Sequence, residues 1–440
     1  ASLFFYAWGE PKYVILMLVS IGLNYFFGLW IGRMQSKHRM RLAVTTCVFL
    51  NLLLLGYFKY FDFAAGALNA LMGHEAVPLR SIALPLGIAL PVGISFYTFQ
   101  ALSYVVDVYR GTIQAQKNIF HLALYISFFP QLIAGPIVKY HDVCEQIGNR
   151  QCTAEGMAYG IKRFSYGLAK KMLFANTFAA TVDWMMEKTL AQLGTVNAWM
   201  LAVLYTLQIY FDFSGYSDMA IGLGKMFGFD FMENFNYPYI STSIREFWRR
   251  WHISLSTWFR EYLYIPLGGN RKGQVRTYIN LLIVFFATGL WHGAGATFII
   301  WGLYHGLFLV VERMGLGKLL EKNCFRGLNH IYTTLVVVVG WVFFRADTLA
   351  DAKVILHQMF TWENGIYPAS LFVNRKVIFL AVLGVLLSGI VQSICPKLRE
   401  HLYEKEVTKT VDIVIMAVLL FLCTMYLVSS TYNPFIYFRF

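Results

Sequence analysis

A histidine set among glycines in an apolar stretch is the residue of this chain best placed to do chemistry. His292 stands in Thr288-Gly-Leu-Trp-His-Gly-Ala-Gly-Ala296, between apolar segments at 277–291 and 296–311. A helix of about 15 residues over the first segment reaches roughly 22 Å, less than the roughly 30 Å of a bilayer's hydrocarbon core. It therefore ends at membrane depth and takes His292 with it. An ionisable group at that depth is costly and is a candidate for function. A structural histidine bonded to a backbone carbonyl fits the same residues equally well. The glycines at 289, 293 and 295 permit close backbone approach and an unwound turn.

A second histidine, His252, lies in Arg249-Arg-Trp-His-Ile-Ser254. Arg245 and Arg249 precede it by seven and three residues and fall on nearby helical faces, with Trp248 beside them. Such a basic, aromatic surface suits either the phosphates of a carrier or ordinary anchoring at lipid headgroups, which the residues alone favour. His305, in Tyr304-His-Gly306, reads as a packing residue. Asp212-Phe-Ser-Gly-Tyr-Ser-Asp218 sets two carboxylates, two serine hydroxyls and a phenol in an apolar context, a pattern shared by proton relays and helix breaks. No Walker loop, GxSxG elbow or HExxH is present.

The elements that must position these residues are membrane helices. Of 440 residues 58% are hydrophobic and 14% charged, whereas a soluble surface needs about a quarter charged. The net charge of +13 falls in short clusters between apolar spans, as in loops facing anionic lipid, and not in a nucleic-acid module. Six scattered cysteines without a CxxC pair exclude a disulfide framework and a thiolate metal site. Candidate spans are 13–32, 42–60, 82–106, 198–213, 331–345, 377–394 and 411–428, with less regular segments at 118–136, 157–178, 277–291 and 296–311. The fold expected is all-α and polytopic, with about eleven transmembrane or re-entrant helices, in one domain over 1–440 with an aromatic tail at 433–440. The first span reads as a retained helix rather than a removed signal peptide.

Arg33, Lys37, Arg39 and Arg41 place the first connection in the cytoplasm, as do the basic stretches Lys139 to Lys171 and Arg245 to Arg276. Both chain ends are then extracytoplasmic, provided 118–136 dips in and returns, as its Phe129-Pro-Gln-Leu-Ile-Ala-Gly-Pro136 end suggests. Ser243 to Leu263 carries Ile244, Phe247, Trp248, Trp251, Leu255, Trp258, Phe259 and Tyr262 at helical spacing, the pattern of one helix lying in the cytoplasmic interface.

Phe247-Trp-Arg-Arg-Trp-His-Ile-Ser-Leu-Ser256, Trp258-Phe-Arg-Glu-Tyr-Leu-Tyr-Ile-Pro-Leu-Gly-Gly-Asn270 and Thr288-Gly-Leu-Trp-His-Gly293 resemble the membrane-bound O-acyltransferase (MBOAT) family. Pro91-Val-Gly-Ile-Ser-Phe-Tyr-Thr-Phe99, Phe129-Pro-Gln-Leu132 with Gly135-Pro136, and Asp212 to Asp218 are similar to its polysaccharide-acetylating branch. The resemblance runs in order through nearly the whole chain. It implies a helical ring around a thin partition, with a cytoplasmic funnel meeting an outer cavity near His292. It further implies catalysis by His292 with His252 as the second family histidine, and a donor funnel lined by Arg245, Arg249 and Trp248. The activity implied is transfer of acetyl from a cytoplasmic donor, acetyl-CoA or another thioester carrier, toward an exported or cell-wall polysaccharide. No permanently bound cofactor is implied. An extracytoplasmic SGNH-type acetyltransferase is the expected partner, and the bacterial cytoplasmic membrane the expected location. Transfer of another acyl group, such as D-alanyl from a carrier protein, is the alternative; a transporter without chemistry would need internal symmetry that is not seen. The terminal Phe435-Ile-Tyr-Phe-Arg-Phe440 resembles the FxYxxF-type end of exported-polymer acylation systems, which makes Tyr437 a candidate covalent acyl relay. Interfacial anchoring is the plainer use of that tail.

Overall fold

A computed structural model describes residues 1–73, 77, 90–133, 135–322, 326–395, 397 and 410–429. The proposed relay residue Tyr437, with the 433–440 tail, lies outside the described residues, as does Cys324. The described chain is helical throughout its regular structure, with no β-strand among the described residues. It is an all-α polytopic membrane protein. Six described helices are long and apolar enough to cross a bilayer: Val14–Arg33, Lys37–Met72, Ala296–Leu320, Arg326–Arg345, Arg375–Ile394 and Thr410–Ser429, with mean hydropathy from 1.3 to 2.6.

Two compact units make up the chain, the first formed by Ala1–Cys152 with Phe227–Met232, the second by Thr153–Met226 with Glu233–Phe440. Within the first, α1 (Val14–Arg33) and α2 (Lys37–Leu55) are joined by a reciprocal amide pair. Asn24 Nδ2 donates to Asn51 Oδ1 at 3.0 Å, and Asn51 Nδ2 donates back to Asn24 Oδ1 at 3.1 Å. Polar side chains buried in an apolar span need such partners, and the exchange links the two helices. Next come α3 (Ile94–Arg110), α4 (Ile119–Ser127) and α5 (Tyr140–Asn149). Of the expected 82–106 span, 82–89 lies outside the described residues. The segment at 118–136 breaks as its prolines suggest. Phe128 is extended, a four-residue turn Phe129–Leu132 follows, and the nine residues of α4 reach only about 14 Å. Ala134 is outside the described residues.

The second unit is built around α6 (Ala154–Ala169), α7 (Asn176–Met186) and α8 (Gly194–Met226). Neither a helix end at 213 nor a break at Asp212 to Asp218 occurs: α8 runs unbroken for 33 residues. Gly215 does not interrupt the helix; it lets a neighbour in. A Cβ on Gly215 would sit 2.7 Å from Gly167 O, and one on Gly222 would sit 2.6 Å from Gly160 O. Glycines seven apart on each helix therefore form a matched stripe along which α6 and α8 touch backbone to backbone. That spacing is present in the sequence, and it carries the information that the break reading missed.

The single interfacial helix expected over 243–263 is also corrected. The segment folds as two short helices, α9 (Ile244–Arg250) and α10 (Ile253–Phe259), followed by a π-turn, Arg260–Tyr264. Most of its aromatic and aliphatic residues are turned into protein rather than lipid. Phe247, Trp248, Trp251, Leu255, Trp258 and Phe259 are all buried in protein. The amphipathic spacing was real, but its apolar stripe meets other rings instead of a bilayer. Beyond it lie α11 (Gln274–His292), α12 (Ala296–Val311), α13 (Arg326–Arg345), α14 (Arg375–Val385) and α15 (Thr410–Ser429). Helix α11 has 19 residues, hence about 28 Å, so it is longer than the 15-residue reading and ends on His292 itself.

Candidate active site

The end of α11 is held in place by two glycines. A Cβ on Gly289 would meet Phe298 O at 2.4 Å, and one on Gly302 would meet Phe285 O at 2.2 Å. Only glycine at both positions lets α11 and α12 approach this closely. The connection between them is tight for the same reason, since a Cβ on Gly293 would lie 2.3 Å from the Phe298 ring. Gly293 has an extended φ of −167°, so lack of space, not a left-handed backbone, is what calls for glycine there. His292 is buried at this turn, its ring 4.9 Å from Trp291, 5.1 Å from Trp301 and 5.1 Å from Phe344 between centroids.

His252 reaches the same place by a different route. It separates α9 from α10 with φ 46° and ψ 55°, a left-handed conformation that a residue with a Cβ adopts only under constraint. Asn234 supplies the constraint. Its Oδ1 accepts from Ser254 N at 3.1 Å and Ser254 Oγ at 2.9 Å and bonds His252 Nδ1 at 3.1 Å, while its Nδ2 donates to Ser217 Oγ at 3.0 Å. The His252 ring packs edge-on to Phe213 at 4.6 Å. Burial pushes its pKa down to about 3, because a charged imidazolium there would lose its hydration. His252 is therefore neutral at working pH, and Nε2 has no hydrogen-bond partner among the described residues. The two histidine rings lie 6.4 Å apart, centroid to centroid.

The other expected site residues divide. Trp248 is inside the same aromatic cluster, 5.1 Å from Phe285, 5.7 Å from Trp301 and 5.2 Å from His305. His305 is fully buried among these rings, and its nitrogens have no hydrogen-bond partner among the described residues. Arg245 and Arg249 are not brought to the histidines. Both are exposed, Arg245 pairing with Glu321 at 3.2 Å, and they occupy the outward side of the short helix whose inward side carries Phe247 and Trp248. Glu312 anchors that helix by accepting from the backbone N–H of Ile244 at 2.6 Å and of Arg245 at 3.0 Å. Asp212 and Asp218 are buried in ion pairs with Lys171 and Lys170 at 2.6 Å each. Asn234, Trp301 and Phe344 went unnoticed in the sequence. A lone Asn between Glu233 and Phe235 gives no periodic or motif signal.

Residues 114–350 match the MBOAT profile, the membrane-bound O-acyltransferase family. The chain is 46% identical over 369 residues to the probable alginate O-acetylase AlgI of Pseudomonas putida, covering 83% of this chain and 74% of that protein. It is 36% identical over 485 residues to the peptidoglycan O-acetyltransferase of Helicobacter pylori, covering 100% of this chain and 90% of that one. Similarity to the teichoic acid D-alanyltransferase of Bacillus subtilis is lower, 28% over 263 residues, covering 57% and 66%. With the profile spanning more than half of its length, and relatives at 46% and 36% identity covering 83% and 100% of it, the chain belongs to the membrane-bound O-acyltransferase family and is an acyltransferase.

Proposed function

We propose that this acyltransferase moves acetyl groups from a cytoplasmic thioester, acetyl-CoA, across the cytoplasmic membrane for O-acetylation of an exported or cell-wall polysaccharide. The observation that carries the reading is the pair of buried imidazoles, His252 and His292, 6.4 Å apart in one aromatic chamber. At that spacing the two rings can act on one bound group. His292 acts as general base. It takes the proton of the attacking hydroxyl as the oxygen bonds to the thioester carbonyl carbon; the C–S bond then breaks, and the proton passes to the departing thiolate. The neutral His252, an acceptor at Nε2, takes a hydrogen bond from an N–H of the donor's carrier arm and holds the thioester beside His292. The rings of Trp291, Trp301 and Phe344 exclude water, which would otherwise compete as acceptor.

Acetyl as the group transferred is supported by two of the relatives above, each named for O-acetyl chemistry. In this reading Tyr437 is the first acceptor. A phenol of pKa about 10 is a better leaving group than an aliphatic alcohol, so its ester retains transfer potential for an extracytoplasmic SGNH-type transferase. Arg245 and Arg249, exposed and basic, steer the phosphates of the donor from the cytoplasmic side, and both chain ends are extracytoplasmic. The test uses inside-out membrane vesicles given acetyl-CoA labelled in its acetyl group. Label should enter the protein at Tyr437 and then the polymer, both steps failing in His292→Ala. Normal labelling of polymer in His292→Ala rejects the base; normal labelling in Tyr437→Phe rejects the relay.

A further inference from the structure

Asn234 is wholly buried, belongs to none of the motifs that mark the site, and holds four hydrogen bonds through its side chain. We propose that Asn234 is a positioning residue that fixes the tautomer of His252 and holds its ring beside His292, an inference that rests on the two-histidine reading above.

The argument starts from the one bond whose direction is unambiguous. The backbone N–H of Ser254 can only donate, so the Asn234 atom facing it is the carbonyl oxygen Oδ1. The other end of the amide, Nδ2, then donates to Ser217 Oγ. Oδ1 is an acceptor, and so His252 Nδ1, 3.1 Å away, must be the donor and carry the proton. A buried neutral imidazole has one proton only. Nε2 is therefore left with its lone pair, the form in which it can receive a hydrogen bond inside the chamber. The backbone of Asn234 joins in, since its carbonyl accepts from Ile253 N at 3.0 Å and pins the left-handed turn that carries His252.

An amide suits this role better than a carboxylate. A carboxylate against Nδ1 would stabilise the imidazolium and raise the histidine pKa, whereas an amide orients the ring and leaves it neutral. The surroundings maintain that neutrality. Ser217 and Phe213 from α8, Trp291 and His292 from α11, and Asn234 face the ring. The carboxylates next to them in sequence, Asp212, Asp218 and Glu233, are paired with Lys171, Lys170 and Arg163. On α9, Arg250 pairs with Glu246 and Arg249 is exposed.

The experiment measures initial rates of label transfer from acetyl-CoA in inside-out vesicles between about pH 3 and 9, for Asn234→Ala, Asn234→Asp, His252→Ala and His292→Ala. Asn234→Ala should lower kcat by about 10²-fold or more with donor KM little changed, as expected when a proton-handling group loses its orientation. Asn234→Asp keeps every acceptor bond. It should retain most activity at high pH and gain an acid limb displaced upward by about one pH unit or more relative to wild type. A merely structural asparagine would not move that limb. If Asn234→Ala does not accumulate in the membrane, the Asn234→Asp profile decides alone. Wild-type kcat in Asn234→Ala, or an Asn234→Asp profile that superimposes on wild type, overturns the proposal. If His252→Ala and His292→Ala are fully active, the two-histidine reading falls and this inference with it. If both are inactive while Asn234→Ala is normal, the positioning role alone is rejected.

Discussion

Two buried polar regions of the second unit are built on opposite principles. Along α6, the turn after it and α8, the buried charges have nearby counter-charges. Arg163 bonds Asp218 at 2.7 Å and also Glu233, Lys170 bonds Asp218, Lys171 bonds Asp212, and Lys162 lies 3.9 Å from Asp412. Around His252 and His305, near the end of α11, no such pair is found among the described residues. Both imidazoles are packed on rings, His252 Nε2 and both His305 nitrogens have no hydrogen-bond partner among the described residues, and burial keeps His252 neutral. A buried charge pair that is fully matched has nothing left to offer a substrate, and it serves as a cross-link. A buried neutral base with an open lone pair has spent little on structure and is available to a proton. Both regions carry ionisable groups inside an apolar protein, so burial alone cannot tell chemistry from architecture. The state of the partners can.

The largest expected effect separates the regions by phenotype. His292→Ala should lower acyl transfer by the roughly 10²–10⁴-fold typical of removing a general base, with detergent melting close to wild type. Asp218→Ala should do the reverse. It strands Lys170 and leaves Arg163 with Glu233 alone, and breaking a buried pair by removing one partner costs about 3–5 kcal/mol. Its signature is loss of monodisperse protein and a lower melting temperature, with residual activity tracking the folded fraction. An Asp218→Ala protein that melts normally yet fails to transfer acyl groups would break the comparison.

A smaller effect tests how the chamber is held. Gly302→Ala places a methyl where Phe285 O already sits, 2.2 Å from the ideal Cβ. Overpacking of this kind costs about 1–3 kcal/mol, and the strain falls on the α11–α12 contact that fixes His292. Activity should drop by more than stability does, whereas Gly327→Ala, with open space around its Cβ position, should change neither. Equal losses in both variants would mean that the contact does not position the site.

How much of this the sequence revealed depends on the range of the information. The span periodicities at 13–32, 331–345, 377–394 and 411–428 translate almost directly into helices, because a lipid-facing helix needs only local composition. His292 and His252 were identified from short motifs, and they do meet. What failed was inference from local pattern to non-local partner. The aromatic stripe of 243–263 looks the same whether it faces lipid or Trp301, Trp341 and Phe285. Gly215 looks like a break until Gly167 is laid against it. Asn234 has no pattern at all, since its meaning comes from His252 and Ser254, eighteen and twenty residues on.

The smallest expected effect extends the comparison to the first unit, where a histidine sits on the architectural side. His141 Nδ1 lies 2.7 Å from Asp107 Oδ2 and Nε2 lies 3.1 Å from Asp142 Oδ1, so both ring nitrogens are engaged. The Asp107 bond first, and then that of Asp142, raises its pKa from 6.5 to about 9, against a lesser opposing effect of burial. A histidine whose folded pKa is raised binds its proton more tightly in the native state. Its contribution to stability is therefore complete below the unfolded value near 6.5 and is lost as pH rises through about 9. His252 has the opposite shift, down to about 3, and titrates nowhere in that window. The prediction is a modest fall in protease resistance of the α3–α5 region between about pH 7 and 9 in wild type, absent in His141→Gln, which cannot carry the charge. Asn234→Asp should not alter this alkaline trend, because it acts on a different histidine in the other unit. If the His141→Gln protein loses resistance over the same pH range as wild type, the Asp107–His141–Asp142 cluster is not the source of the trend, and the distinction between a clamped histidine and an open one loses its clearest control.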